Sequence, residues 1–414
     1  MKVGFLLLHP YSFTKTKSLA TTVRVKELAR SLSTLGVEVY VFTPYEKSYE
    51  TPEGIRIIGL NNLWLKLGLA ERVYGFSREV YHKSVFHKIL ARYFLKRTLT
   101  KPSKPFFQLF EAVDKYEIDI LQAIQESAAL WLLGVKKELE LPLAVDLHTL
   151  WPEEAVATGA IKRDSKEFKI LHDIEEQILQ AMDLIIVLGE KMYNHVLLNY
   201  QVERRKIVIV PPGARPLLND VPRRTPPPKV LYSGIVSRRK NFKLYLDAIP
   251  YVNSKQASTK FYATKKGDLI NWARSYAKKR NIKNLTWYWF PNADQFFAFM
   301  EQCHVGVITN ENSEANKMDM PSKLFDYMCL GVPVATNYIG GWTNIVEQYR
   351  VGITTKSTPK SFAEGILTLL ENPELAYKCG KNGIELIKER FNWDISAKKL
   401  YQRYLALKNE NRSC

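Results

Sequence analysis

Short apolar runs alternate with longer amphipathic segments through the first half of the chain. The runs are rich in Val, Ile and Leu, which is typical of strands buried on both faces of a parallel sheet. The predicted strands are Val3–Leu8, Val37–Thr43, Ile55–Leu60, Ile118–Ala123, Leu143–Leu147, Leu184–Leu188 and Ile207–Val210. The predicted helices between them include Leu19–Leu35, Ser165–Met182 and Glu190–Tyr200. This repetition of strand, helix and strand predicts a parallel sheet with helices on both faces.

A proline-rich segment interrupts the alternation near the middle of the chain. Residues 211–228 contain seven of the 20 prolines, and proline fits neither a strand ladder nor a helix interior. The alternation then restarts with a strand at Val230–Ser233 and a helix over 240–252. The later predicted strands lie near Phe261, near Trp287, and at Val305–Thr309, Val332–Ala335 and Gly352–Thr354. The proline-rich segment is therefore the predicted linker between two domains.

The same architecture thus occurs twice, as two doubly wound α/β domains of the Rossmann-like type. We predict a first domain over 1–210, a linker over 211–228, a second domain over 229–392 and a terminal helix over 393–414. The two domains are expected to face each other across a cleft. In such sheets ligands bind beyond the carboxyl ends of the strands.

Apolar residues share one side of the last helical stretch, 394–407. They are Trp393, Leu400, Tyr404 and Leu407. One interpretation is a terminal helix that simply docks on the protein. The other is a helix that crosses back to brace the first domain.

Composition excludes several classes of protein. The chain has 414 residues, of which 46% are hydrophobic and 25% charged, so it is not a mainly disordered chain, a collagen or a small disulfide scaffold. No apolar run approaches the roughly 20 residues that a membrane-spanning helix needs. The four cysteines form no C-x-x-C pair and are expected to be free thiols in a reducing compartment, which favours a cytoplasmic location.

The charge balance is unusual, because 60 basic against 42 acidic residues give a net charge of +18. Such a protein attracts polyanions, including nucleic acid, anionic lipid and phosphorylated small molecules. Residues 62–107 carry ten basic and two acidic residues interleaved with aromatic ones. This segment is a solvated basic face, a contact with the inner face of an anionic membrane, or a nucleic-acid site, and no nucleic-acid-binding motif supports the last.

The stretch around Pro321 predicts an anion site. Pro321 suits the first position of a helix that runs to about Leu330, so Ser322 and Lys323 occupy its first turn. Free N–H groups and the helix dipole favour a phosphate there. Asp326 lies one turn further along the same face, where it could accept hydrogen bonds from ribose hydroxyls. The alternative is an ordinary capped helix.

A second basic cluster follows the predicted strand at Val230–Ser233. Gly234 allows the chain to turn close to a ligand, and Arg238, Arg239 and Lys240 follow at the entry to a helix. Several cations at the carboxyl end of a strand could neutralise a diphosphate. The alternative is a basic loop in a basic protein.

Polar residues after a first-domain strand are candidates for the acceptor side. His148 follows the strand Leu143–Leu147 and either points into the cleft or is a hydrogen-bonded structural histidine. Glu153 and Glu154 are either acceptor-side bases or solvated charges. Because no D-x-D triplet and no metal-ligand spacing of His and Cys occurs, the sequence does not require a metal ion.

Two stretches of the second half together resemble a known family. PSKLFDYMCLGVPVA followed by a Gly pair, with LYSGIVSRRKN before it, is similar to the sugar-nucleotide half of the GT-B glycosyltransferases, specifically the retaining group 1 type of family four. Looser matches follow in the family's order. They are KVGFLLLHP, AVDLHTLWPEE, DLIIVLGEKMYNHV with RRKIVIVPPGARP, and FNWDISAKKLYQRY, which resembles the family's terminal crossover helix.

The resemblance implies an activity and its partners. A sugar would move from a nucleotide donor such as a UDP- or GDP-sugar to an acceptor, with retention of configuration and without a cofactor. The acceptor is expected to be a saccharide or a lipid-linked glycan, and the basic segment over 62–107 suggests that it lies at the inner face of a membrane. Nucleic acid is not an expected partner.

The resemblance also assigns residues. Lys240 matches the lysine that contacts the donor diphosphate, and Asp326 takes the place of the glutamate that binds ribose. The other matches are Ser322, Lys323 and Leu324 near the phosphates, and His148 near the transferred sugar.

Two positions depart from the family's pattern. Ile235 stands where the family usually has an arginine. The spacing of the family's paired glutamates gives Met318 and Asp326, with Glu311, Glu314 and Asp319 nearby. Two other functions therefore stay open: a sugar-nucleotide epimerase on the same fold, which would need no acceptor, and a catalytically inactive sugar-nucleotide-binding protein.

Overall fold

The computed structural model describes four stretches of the chain, at residues 1–8, 20–60, 105–290 and 292–412. They divide into two compact units. Unit 1 comprises Met1–Val210 and Asp394–Cys414, and unit 2 comprises Pro211–Trp393. Most of the basic segment predicted over 62–107 lies outside the described residues.

The sheet of unit 1 has eight strands in the described residues. They are β1 (Lys2–Leu6), β2 (Glu38–Thr43), β3 (Tyr49–Glu50), β4 (Arg56–Gly59), β5 (Ile120–Ile124), β6 (Leu143–Asp146), β7 (Leu184–Val187) and β8 (Ile207–Ile209). Their order is β3-β4-β2-β1-β5-β6-β7-β8, and every neighbouring pair is parallel except β3 with β4. All side chains of β5, β6 and β7 are buried, as the apolar runs predict.

Helices connect the strands of unit 1. Within the described ranges they are α1 (Ala20–Ser33), α2 (Pro105–Lys115), α3 (Gln125–Leu133), α4 (Trp151–Ala157), α5 (Lys166–Ala181) and α6 (Glu190–Asn199), followed by a 3-10 turn at Arg204–Lys206. Helix α1 ends before Gly36, whose φ of 79° lies in the left-handed region that favours glycine.

Among the described residues of unit 2, the sheet has six strands, all parallel. They are β9 (Lys229–Tyr232), β10 (Lys260–Thr264), β11 (Leu285–Tyr288), β12 (Val305–Ile308), β13 (Val334–Asn337) and β14 (Gly352–Thr355). Their order is β11-β10-β9-β12-β13-β14. The connecting helices are α7 (Phe242–Lys255), α8 (Ile270–Lys279), α9 (Ala293–Glu301), α10 (Glu314–Met318), α11 (Ser322–Cys329), α12 (Thr343–Gln348), α13 (Pro359–Glu371) and α14 (Pro373–Glu389).

Both sheets are doubly wound, so the predicted fold class is confirmed. In unit 1 the chain moves outward from β1 to β2 and β4, then returns to place β5 on the other side of β1. In unit 2 it moves from β9 to β10 and β11, then places β12 on the other side of β9. The crevice beyond the carboxyl ends at such a reversal of strand order is the usual ligand site of this fold.

The terminal helix α15 (Trp393–Arg412) packs in unit 1, as the crossing-back interpretation predicts. The buried Tyr404 hydroxyl donates a hydrogen bond to the Gln122 side chain on β5. The Lys408 ammonium lies 2.7 Å from the Asp119 carboxylate. These contacts tie the end of the chain to the central strand pair of the first sheet.

Among the described residues, no helix combines the length and the apolar character that crossing a membrane requires.

Substitutions on α15 should separate its docked side from its open side. Leu400 is fully buried, and Leu400→Ala should lower the free energy of unfolding by about 2–5 kcal/mol because it leaves a cavity. Leu405 is 38% exposed, and Leu405→Ala should change it by less than about 0.5 kcal/mol. Urea unfolding followed by circular dichroism measures both. Equal losses would contradict the docking of this helix.

Candidate functional site

Two loops meet at the carboxyl edge of the unit 2 sheet. One follows β9 and the other follows β12, and these strands are paired in parallel with Val230 opposite Val305. Neighbouring parallel strands end at the same edge, so the loops that leave them lie side by side. This edge is the place where the strand order reverses.

Hydrogen bonds join the two loops. The Thr309 hydroxyl donates to the Lys240 carbonyl at 2.7 Å, and the Glu311 N–H donates to the Arg239 carbonyl at 3.0 Å. The Asn316 amide of α10, which is fully buried, donates to the carbonyls of Arg239 at 3.0 Å and Glu311 at 2.8 Å. Its Oδ1 accepts from Nε of Arg239 at 2.8 Å. The backbone of the two basic residues, Arg239 and Lys240, is therefore fixed by several hydrogen bonds.

An acidic residue lies between the two cations. Oδ2 of Asp319 is 2.9 Å from Nζ of Lys240 and 3.4 Å from Nη2 of Arg239. Burial would raise the pKa of Asp319, but the neighbouring Lys240 and Arg239 lower it below the ordinary value of 3.8. The carboxylate is therefore ionised at neutral pH, and the three groups together carry one net positive charge.

Helix α11 begins close to this cluster in sequence. Pro321, with φ −65° and ψ 120°, is the N-cap, one position before the first helical residue for which it was predicted. Ser322 and Lys323 occupy the first turn, and the N-cap residue Pro321 makes no side-chain capping hydrogen bond. Nζ of Lys323 lies 2.9 Å from Oδ2 of Asp326, so these two residues do share a face of the helix. The Leu324 side chain is fully buried in the core of unit 2.

The remaining second-domain candidates occupy the loop after β9. A Cβ at Gly234 would lie 3.0 Å from the Tyr232 hydroxyl, so a larger residue would crowd that ring. Arg238 is exposed and Arg239 is half-buried. The structure thus gathers Arg239, Lys240 and Asp319 in one cluster and pairs Lys323 with Asp326 on α11.

In unit 1, His148 lies beyond the carboxyl end of β6. Its Nε2 is 3.2 Å from Oδ2 of Asp146, and its Nδ1 is 3.2 Å from the hydroxyl of Thr21. The buried Arg24 guanidinium donates to both oxygens of Asp146, at 2.8 and 2.9 Å. Burial would raise the pKa of Asp146, but Arg24 and His148 lower it to about 2. A permanently ionised carboxylate therefore holds the His148 ring.

The two predicted acceptor-side glutamates lie on α4. Glu153 is 2% exposed, and the Arg163 guanidinium donates to both of its carboxylate oxygens, one of them at 2.8 Å. Glu154 is half-buried. Glu153 is therefore buried and paired with Arg163, whose side chain is 51% exposed.

The structure also reveals a buried carboxyl pair that sequence reasoning missed. Glu126 follows β5 near the start of α3, and Glu175 lies on α5; both are fully buried and close enough to influence each other's pKa. Glu175 also accepts from the Trp151 N–H at 2.8 Å and from the Tyr200 hydroxyl. Burial raises the pKa of Glu175 to about 7, and burial with the nearby Glu175 charge raises that of Glu126 well above 4.5. The pair fixes the first residue of α4, just after the loop that carries His148.

One sign of this pair was available in the sequence, because Glu126 comes two residues after the end of β5, a strand beside the reversal of strand order. Gln125, which separates Glu126 from β5, has φ 67°, which is uncommon for a residue with a side chain. The partner Glu175 lies in an ordinary amphipathic helix, and nothing in its spacing indicates burial.

Two sequence families match the chain. Residues 217–386, within unit 2, match Glycosyl transferases group 1. Residues 21–216, which cover most of unit 1, match Glycosyltransferase Family 4. The resemblance to group 1 glycosyltransferases is thereby confirmed.

Known proteins resemble the chain in sequence and in fold. Over 176 residues it is 24% identical to an uncharacterized glycosyltransferase, MJ1178, of Methanocaldococcus jannaschii; this is 42% of the chain and 47% of the relative, so the match spans about half of that protein. Sucrose-phosphate synthase from Thermosynechococcus elongatus superposes with a TM-score of 0.71 at 16% identity over 99% of both chains. Anabaena Alr3699/HepE, solved in complex with UDP, gives a TM-score of 0.64 at 12% identity over 98% of this chain and 100% of that one. These likenesses concern the fold and confirm the GT-B class.

The buried carboxyl pair should make stability depend on pH. Because the pKa of Glu126 is raised in the folded protein, its proton stabilises the fold at low pH, and that stabilisation is lost as pH rises above about 4.5. Glu126→Gln keeps the shape and has no proton to lose. The free energy of unfolding of the wild type should therefore fall relative to this variant by up to about 1.4 kcal/mol per pH unit.

Urea unfolding from about pH 5 to about pH 9 measures this difference. The exposed Glu140 provides the matched control, since Glu140→Gln should run parallel to the wild type. Parallel curves for Glu126→Gln as well would show that Glu126 does not keep its proton.

Proposed function

We propose, for a chain whose two halves match glycosyltransferase families, that the protein transfers a sugar from a nucleotide-sugar donor to an acceptor with retention of configuration. The observation that carries this proposal is the cation cluster of Arg239 and Lys240 at the reversal of strand order in unit 2. A second anion-binding element, the first turn of α11, starts three residues after Asp319. Together they form a fitting environment for a diphosphate.

The proposed chemistry follows from where charge develops. As the bond between sugar and phosphate breaks, the ring becomes positive and the leaving diphosphate becomes more negative. Cations and N–H dipoles that are already in place stabilise that negative charge without reorganising. Lys240 contacts the diphosphate, with Arg238 and Arg239 close by in the chain. Ser322 and Lys323 approach the same group from the start of α11.

Asp326 is proposed to bind the ribose. Its carboxylate is 16% exposed and lies one turn after the start of α11. A carboxylate accepts hydrogen bonds from vicinal hydroxyls, and the present partner Lys323 could shift to a phosphate when the nucleotide binds. UDP- and GDP-sugars are the proposed donors; the UDP complex of the Anabaena protein of the same fold supports a uridine nucleotide.

The acceptor is proposed to bind on the side of unit 1, as a saccharide or a lipid-linked glycan. His148 is proposed to approach the transferred sugar, because its ring lies beyond the end of β6 and is oriented by Asp146 and Thr21. Its side chain is 10% exposed, so a part of the ring is accessible while both of its nitrogens are held. Glu153 is already engaged by Arg163 and is the weaker candidate for contact with the acceptor.

Donor binding should depend on Lys240. Removing a charge-assisted hydrogen bond of about 1.5–3 kcal/mol should weaken binding of UDP or GDP roughly 10- to 150-fold in Lys240→Ala. The matched control is Lys255→Ala. Lys255 is exposed at the far end of α7, about 20 Å away along the helix axis. Isothermal titration calorimetry compares the two variants. Equal affinities in both would contradict the assigned diphosphate site.

The reaction itself is tested with a panel of UDP- and GDP-sugars offered with saccharide and lipid-linked acceptors. We expect release of the nucleoside diphosphate that depends on an acceptor, and a product whose anomeric configuration, measured by NMR, equals that of the donor. An altered sugar nucleotide formed without acceptor would instead indicate an epimerase. An inverted product would refute retention while leaving transfer intact.

A further inference from the structure

The carboxylate of Asp319 occupies the place where the proposed function puts the donor diphosphate. It lies 2.9 Å from Nζ of Lys240 and 3.4 Å from Nη2 of Arg239. A phosphate oxygen would make the same kind of contact with these donors. The carboxylate and the diphosphate therefore compete for the Lys240 ammonium group.

The two cations are held differently. The Arg239 guanidinium also donates from Nε to the buried Asn316, so it keeps a partner when Asp319 is engaged elsewhere. Within the part of the chain that the structure describes, the Lys240 ammonium has a hydrogen bond to Asp319 alone. The direction of the Lys240 side chain thus depends on this one carboxylate.

The cluster is open enough for exchange with a ligand. The side chains of Lys240 and Asp319 are 24% and 21% exposed, whereas the Arg24–Asp146 pair in unit 1 is 4% and 1% exposed. The Lys240–Asp319 ion pair is therefore accessible from solvent, and a more highly charged anion can replace the Asp319 carboxylate beside Lys240. The buried pair in unit 1 has no such access.

The backbone links Asp319 to the other anion-binding element. Its N–H donates to the Ala315 carbonyl at 3.0 Å and ends α10. The adjacent Met320 N–H helps to lower the pKa of its side chain, and the residue after Met320, Pro321, is the N-cap of α11. The carboxylate therefore stands on a two-residue connection to the helix start that is proposed to bind the phosphates.

We propose that Asp319 is an internal counter-ion and positioning residue for the donor site. It holds Lys240 in place in the ligand-free protein and gives up part of that contact when a nucleoside diphosphate binds. The proposal rests on the proposed function, because it requires that the ligand be a diphosphate. Its consequence is that Asp319 weakens ground-state binding of the diphosphate while it keeps Lys240 oriented for the reaction.

Neutral substitutions test this competition. With Asp319→Asn the cluster gains one positive charge, so UDP, GDP and inorganic pyrophosphate should each bind roughly 3- to 30-fold more tightly at low salt. The gain should shrink as the salt concentration rises, because the Debye length becomes shorter. The rate of transfer at saturating donor should fall, because Lys240 is no longer held. Titration calorimetry and steady-state kinetics on the full chain give the two readouts.

Three further variants complete the test. Asp319→Glu keeps the charge and should return affinity toward that of the wild type, and Asp319→Ser is a second neutral variant in case the amide does not fold. Asp294→Asn, at an exposed position on α9, is the matched acid-to-amide control and should change neither affinity nor rate.

Each outcome separates the two proposals. If Asp319→Asn and Asp319→Ser bind UDP, GDP and pyrophosphate no more tightly than the wild type while Lys240→Ala still weakens binding, the diphosphate site stands and the counter-ion role is refuted. If the wild type binds none of the three ligands, the proposed function fails and this proposal fails with it. A merely structural ion pair would lower the melting temperature of the neutral variants without tightening binding.

Discussion

Parallel pairing of β9 with β12 is the constraint on which the candidate site of unit 2 depends. It brings together, at one edge of the sheet, two loops that are about 70 residues apart in sequence. The segment between them contains β10, β11 and α9. Loop backbone at such an edge needs partners for its polar groups. Asn316 supplies several of them at once from a fully buried position. The cations of the β9 loop are thereby fixed by the β12 loop.

Each unit pairs a carboxylate with basic groups near the carboxyl ends of its strands: Asp146 with Arg24 in unit 1, and Asp319 with Lys240 in unit 2. The two pairs differ in burial, and therefore in how easily their members separate. Asp146 and Arg24 form two hydrogen bonds in an almost solvent-free position, and separating them would leave a buried charge without a partner. This pair is suited to holding His148 in a constant orientation. Asp319 and Lys240 share one contact near solvent, where exchange of partners is less costly.

The sequence determined the strands and their doubly wound order more fully than it determined the site. Runs such as Leu184–Leu188 are apolar enough to be buried on both faces, and Gly36 marks a helix end through its positive φ. The two-residue strand β3 was missed because it is short and polar. Spacing along α11 correctly put Lys323 and Asp326 on one face, since that geometry is local. Contacts between loops distant in sequence, such as those of Asp319, follow no spacing rule.

Burial was equally invisible for charged residues, as Glu153 and Glu175 show: their sequence surroundings resemble those of solvated glutamates. The same limit explains how the departure at Met318 is resolved. Met318 is 2% exposed, so an apolar side chain is buried at the position where the family has a glutamate. Helix α10 ends directly after it, and the extended backbone of Asp319, with φ −60° and ψ 151°, turns the next side chain toward Lys240. The carboxylate of Asp319, one position after Met318, thus places a negative charge beside Lys240 and Arg239. It balances these two cations, but it contacts them and not the position that Met318 occupies.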